Sequence, residues 1–179
     1  MEACHPPIER ILAPPVDRVA LFADAAPAAG PLKPRPFASE ADLRRFAERR
    51  LALALGLRLV AAEVAVDGWA AGRIDALAVD ERLRPVVVEF KREATGSTIG
   101  QALAYVDWLV THRDAVVLHV ARTLGIENAD RLDWSAPRLV CVAAAFGPRE
   151  EAVARQLANQ VDLVRVDRYG GGRFVVQRI

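Results

Sequence analysis

The sequence is short of the residues that announce a special chemistry on their own. It holds two cysteines, Cys4 and Cys141, far apart and in no metal or redox spacing. That argues against a disulfide framework or a cysteine-built metal site, and predicts reduced thiols in a cytoplasmic protein. The three histidines, His5, His112 and His119, share no ligand spacing, so core or surface roles are their default. An excess of one charge is missing too: 24 Lys and Arg stand against 23 Asp and Glu, a net of +1. No global basic field therefore advertises nucleic-acid binding, and any such binding has to use a local patch. No run approaches the ~18 apolar residues of a membrane span. The start, MEACHPPIER, lacks the basic-then-apolar pattern of a signal peptide. No membrane partner is expected.

What is present is ordinary for a globular protein: 179 residues, 53% hydrophobic and 26% charged, enough for one domain with a useful core. Proline is unevenly spread. Pro6, Pro7, Pro14, Pro15, Pro27, Pro31, Pro34 and Pro36 all fall in residues 1–37, a density that blocks helix interiors and sheet ladders. An extended arm is expected there, with VDRVALFA (16–23) as a short strand. A wrap over the core is favoured over a partner-binding tail.

From residue 38 the pattern becomes regular. ASEADLRRFAERRLALALG has a capping Ser39, acids in the first turn and a closing Gly56, with Leu43, Phe46, Ala47, Leu51 and Leu55 at helical spacing. Strands are predicted at 57–66, at 73–80 (RIDALAVD, alternating) and at 86–92 (VVVEFKR), the last central because it opens with unbroken valines. A helix follows over 95–113, with Ile99, Leu103, Val106 and Val110 on one side. Another follows in HRDAVVLHVARTLGI. Then come a buried strand in RLVCVAAAF (138–146), a helix over 148–161 with Pro148 at its start, and a hairpin turning at Gly170, Gly171 and Gly172. The predicted class is α/β, one mixed central sheet flanked by helices.

The strand VVVEFKR poses the chemical question, because a core strand ends in Glu89, Lys91 and Arg92. Side chains alternate along a strand, so Glu89 and Lys91 share a face and Phe90 turns into the core. The ERLRP connection is short enough for a hairpin that sets Asp75 beside Glu89. Two adjacent carboxylates repel unless a cation or a proton lies between them. A hard divalent ion such as Mg²⁺ takes oxygen ligands, and Asp75, Glu89 and the Phe90 carbonyl supply three. A charged lysine does not ligate metal, but it can orient or help deprotonate a metal-bound water and neutralise charge developing on a phosphate.

GRIDALAVDE followed by VVVEFKR resembles the D…(D/E)xK pattern of the PD-(D/E)XK, or restriction-endonuclease-like, nuclease superfamily. Together with SEADLRRFAERRLALALGLRLVAAE, QALAYVDWLVTHR and LDWSAPRLVCVA, it is similar to an uncharacterised bacterial branch related to the nuclease domain of archaeal-type mismatch endonucleases. The resemblance covers residues 38–179 and implies an αβββαβ core with a C-terminal helix and β-hairpin extension. It implies Asp75 and Glu89 as metal ligands, Phe90 contributing its carbonyl, Lys91 as the catalytic lysine, and Glu48 as the helical acid, with Glu40 as its rival. Gln101 and Tyr105 match a downstream Q-xxx-Y helix, Gln101 directed toward scissile phosphate or water. Mg²⁺ (or Mn²⁺) is the implied cofactor. DNA is the implied partner, with RNA as an alternative, and a homodimer is allowed for. Ile74 stands where many members have proline.

The alternatives are plainer. Glu89 and Lys91 make a surface ion pair of ~0–1 kcal/mol on a non-catalytic binding module that keeps the fold. Arg44, Arg45, Arg49 and Arg50 form a solvated face rather than a phosphate-binding one. Tyr105 and Trp108 are as well suited to the core as to a site. Trp134 anchors the segment before the 138–146 strand. Glu63 fits the branch pattern without an assigned role. Gly170 to Gly172 lack the setting of a phosphate loop.

Overall fold

The computed structural model describes residues 32–48, 54–92 and 96–179, of which Pro34–Ile179 form one compact unit. The strand expected at 16–23, Cys4, His5, Arg49, Arg50 and Leu51 lie outside the described residues. Helix α1 (Glu40–Glu48) begins at its sequence signal. Ser39 Oγ accepts the Asp42 N–H at 3.1 Å, and the Asp42 carboxylate accepts the Ala38 N–H at 3.3 Å. The Asp42 N–H, one of the helix's orphan donors, is thereby engaged, the Ala38 bond ties down the chain entering the helix, and Glu40 and Asp42 sit at its positive end. Ser39→Ala is expected to lower stability by about 1 kcal/mol, read as a shift in urea midpoint with an unchanged m-value. Gly56 has φ +66°, the left-handed geometry expected of a residue closing a helical segment.

Six strands follow among the described residues: β1 (Arg58–Val66), β2 (Gly72–Val79), β3 (Pro85–Lys91), β4 (Arg138–Ala143), β5 (Val161–Arg168) and β6 (Phe174–Arg178). They form one sheet in sequential order. The β1/β2, β2/β3 and β5/β6 pairs are antiparallel; β3/β4 and β4/β5 are parallel. The parallel pairs need crossovers. The first is made by α2 (Gly96–Thr111), α3 (Arg113–Leu124) and the short α4 (Ile126–Ala129), the second by α5 (Pro148–Gln156). The α1–β1–β2–β3–α2–β4 succession has the αβββαβ order expected from the sequence, and α5 with the β5–β6 hairpin extends it at the C-terminal side.

Helices cover both faces of the sheet. Ile99, Ala102, Tyr105 and Leu109 of α2 pack on the face that carries Val87, Leu139 and Leu163. Leu43 and Ala47 of α1 pack on the other, with Val86, Val88 and Phe90. Strand β3 is thus buried on both sides, which is why residues 86–88 are unbroken valine.

Two expectations shift. The buried stripe of α2 runs through Ala102, Tyr105 and Leu109, while Leu103 and Val106 are only partly covered. Tyr105 turns inward because its hydroxyl accepts from the Arg73 N–H and from Gln101. Helix α5 ends at Gln156 rather than near 161. There the chain must turn so that Val161 can pair with Leu139, whose N–H donates to the Gln160 carbonyl at 2.7 Å.

Candidate active site

The β2/β3 ladder runs from Val79↔Pro85 to Ala76↔Val88, and one further step sets Asp75 against Glu89. At that step side chains replace the main-chain ladder. The Asp75 N–H donates to Glu89 Oε1 at 3.3 Å, and the Phe90 N–H donates to Asp75 Oδ2 at 3.0 Å. Each carboxylate is held by the backbone of the opposite strand, so their positions are mutually dependent. Phe90 itself is fully buried, its ring in the α1-side core.

Both strands of the β1–β2 hairpin turn over at this level. Ala61 and Val64 of β1 pack with the same core, as do their partners Leu77 and Ile74 of β2, whereas Ala76 packs with the other. Three-residue spacing on one face breaks the alternation of a regular strand. The break is centred on Asp75 and on Glu63, which the flanking Ala62↔Ala76 and Val64↔Ile74 pairs set opposite it. Glu63 has φ +54°, a left-handed conformation that costs a non-glycine residue on the order of 1 kcal/mol.

Helix α1 brings Glu40, Arg44 and Glu48, four residues apart, along one face. Lys91 Nζ lies 3.3 Å from Glu40 Oε1 and 3.8 Å from Glu89 Oε2. Arg44 Nη1 lies 2.9 Å from Glu63 Oε1 and 4.0 Å from Asp75 Oδ1, and its Nε lies 3.9 Å from Glu48 Oε1. Both candidate helical acids therefore reach the neighbourhood, Glu40 through Lys91 and Glu48 through Arg44.

The electrostatics follow from this crowding. Burial, then the adjacent Asp75 carboxylate, push Glu89 up to about 7 from 4.5. Glu48 is raised by burial, with Arg44 opposing and Asp75 adding to the rise. For Lys91, burial works against the charge, but the carboxylates of Asp75, Glu40 and Glu89 outweigh it and the pKa rises. Lys91 is thus an ammonium at neutral pH. It donates and neutralises; it does not abstract a proton in this state.

Gln101 makes its hydrogen bond within its own helix. Its Nε2 donates to the Tyr105 hydroxyl at 3.1 Å, and that oxygen also accepts the Arg73 N–H at 3.3 Å. A Cβ on Gly72 would lie 2.4 Å from the same hydroxyl, so the Q-xxx-Y pair grips the start of β2 at a position that needs glycine. Trp108 donates to Asp67 at 2.9 Å and stacks on His112, and Trp134 lies beneath the Arg113 guanidinium. Cys141, in register with Glu89, is a buried thiol pushed up to about 12 by burial. Asp80, also buried, accepts from the Arg82 and Arg84 N–H groups and from Arg84 Nε. It closes the β2–β3 turn and is no part of the acid pair. The sequence pattern assigns Glu63 no role, and its one signal is that it is a lone acid inside the apolar run LRLVAAEVAV.

Among the described residues no three His, Cys, Asp or Glu side chains group closely enough to hold a metal ion by themselves. A two-carboxylate donor set nevertheless suits a hard divalent cation that keeps several waters. Asp75 Oδ1 and Glu89 Oε2 are hard oxygens whose contacts, with Arg44 and Lys91, are long. Among the described residues no helix is long and apolar enough to cross a membrane.

No family model matches the chain, and no curated protein matches it. Two solved structures are similar to it. One is an EndoMS–dsDNA2 complex, at 16% identity and a TM-score of 0.42, over 74% of this chain and 47% of that one. The other is SfsA of Pyrococcus furiosus in complex with Ca²⁺, at 13% identity and a TM-score of 0.35, over 77% of this chain and 61% of that one. The chain thus spans less than two thirds of either protein's length.

Proposed function

We propose that this chain is a divalent-metal-dependent nuclease that hydrolyses phosphodiester bonds, with DNA as substrate. The observation that carries the reading is the reciprocal clamp of Asp75 and Glu89, each held by the opposite strand's N–H, with the Lys91 ammonium 3.8 Å from Glu89. In this reading Asp75, Glu89 and the Phe90 carbonyl hold Mg²⁺, for which Mn²⁺ substitutes. The ion supplies Lewis acidity toward a phosphoryl oxygen and lowers the pKa of water. The clamp keeps the two carboxylates oriented without reorganisation as charge develops. Lys91 neutralises charge on the phosphate. Glu40 holds the ammonium in place, and Glu48 adds negative charge beside Asp75. Gln101, on α2 and hydrogen-bonded to Tyr105, is directed toward the scissile phosphate or water. Residues 38–179 are the nuclease domain in this reading, residues 1–37 an appended arm, and the protein acts in the cytoplasm.

Nicking of supercoiled plasmid with Mg²⁺ or Mn²⁺ tests this. Wild type is expected to cut and EDTA to stop it, with Lys91→Ala slower by about 100-fold or more. A wild type that binds DNA yet cuts with neither metal is the non-catalytic module instead. Competition by labelled RNA separates the two nucleic acids.

A further inference from the structure

Arg44 and Glu63 are not among the metal-holding or water-orienting residues, yet they connect them. The Arg44 guanidinium is within 4.0 Å of Glu48, Glu63 and Asp75, and the one hydrogen bond it makes among the described residues is to Glu63. A guanidinium carries five donors in a planar fork that matches phosphate oxygens, so most of this fork is uncommitted. Glu63 is a charged, partly exposed residue in a backbone conformation that favours glycine, on the rung opposite Asp75. No tight turn there requires the conformation, and a glycine would adopt it without strain. A carboxylate kept at such a position points to what the carboxylate holds. It holds Arg44 at 2.9 Å, with Arg73 at 3.6 Å on its other side.

We propose that Arg44 is a phosphate-contacting residue of this site and that Glu63 is the positioning residue that aims it. This rests on the nuclease reading above. When a cation satisfies Asp75, the long Arg44–Asp75 contact becomes dispensable. The fork, still anchored by Glu63, then presents its remaining donors beside the acid pair, where the phosphodiester must lie.

The test is fluorescence anisotropy of a labelled DNA duplex with the full chain, in Ca²⁺ and in EDTA, alongside calorimetric Mn²⁺ binding and thermal melts. Arg44→Ala is expected to weaken duplex binding in Ca²⁺ about tenfold or more while Mn²⁺ binding persists. Arg44→Lys, which keeps charge but loses the fork, is expected to recover only a minor part. Glu63→Gly is expected to weaken duplex binding while its melting temperature stays level or rises, opposite signs that a purely structural residue does not produce. Duplex affinity indifferent to Arg44→Ala overturns the inference, because Arg44 is then only a counter-ion to the acids. A Glu63→Gly chain that melts lower and binds normally overturns the role given to Glu63. These binding measurements need no cutting. Duplex binding through Arg44 by a chain that never cuts sinks the nuclease reading alone; a cutting enzyme indifferent to Arg44→Ala sinks this inference alone. A wild type that binds no duplex overturns both.

Discussion

Glu89→Gln is expected to stabilise the metal-free protein by roughly 3 kcal/mol near pH 8 while abolishing metal-dependent cutting. Glu89 is 6% exposed, and burial and Asp75 together push its carboxyl up to about 7 from 4.5. A carboxyl whose pKa is higher folded than unfolded holds its proton more tightly in the native state. Below the lower value both states are protonated and no stability is lost. Between 4.5 and about 7 the unfolded chain ionises first, so stability falls as pH rises, and above that window the whole cost is present. Glutamine imitates the protonated acid: its oxygen accepts the Asp75 N–H that Glu89 Oε1 now accepts, and its amide does not repel the neighbouring carboxylate. Urea unfolding from about pH 5 to about pH 8 should show wild type weakening and the variant weakening much less, its remaining slope coming from Glu48, which burial also raises. Added Mg²⁺ should restore wild type at the alkaline end and leave the variant unmoved, since an ion that binds only the native, ionised pair stabilises it by mass action. A wild-type profile flat across this window would mean that the two carboxylates do not share a desolvated site.

Phe90→Ala is expected to cost about 3–5 kcal/mol, a large share of an ordinary domain's stability. The ring is completely buried between Glu89 and Lys91 in sequence and packs with Leu43, Ala47 and Val142 on the α1 side. Its loss leaves a cavity that surrounding strands cannot close. It also removes what fixes the orientation of β3, and so the side on which Glu89 and Lys91 emerge. Phe90→Leu should cost only about 1 kcal/mol and leave cutting nearly intact, because volume is largely kept. Urea midpoints at fixed pH measure both, and an alanine variant within about 1 kcal/mol of wild type would show the ring to be dispensable.

The juxtaposition of Asp75 and Glu89 was legible because it is local. The hairpin connection 80–84 is short, and antiparallel pairing then sets which residues can meet. Ser39 was legible for the same reason: a cap is a relation between neighbours in sequence. The face of α2 was not, since its buried row depends on Tyr105 meeting Gly72 and Arg73 of β2, some thirty residues away in the chain. Nor was the link from Arg44 to Asp75 and Glu63, which joins a helix to two strands with no periodic signal between them. Sequence spacing left Glu40 and Glu48 as rivals, and the folded helix puts both near the site because residues four and eight apart share one face.

The sequence by itself determined the order of helices and strands, the burial of β3 on both sides and the pairing of one aspartate with one glutamate. Each follows from short-range periodicity or from a turn too brief to allow another register. Only the tertiary structure decided that the β1–β2 hairpin turns over at Glu63 and Asp75, that Glu89 loses water and keeps its proton toward neutrality, and that Lys91 stays charged between three carboxylates. Those outcomes depend on desolvation and on charges brought together from separate elements, and neither exists until the sheet and α1 have closed on each other.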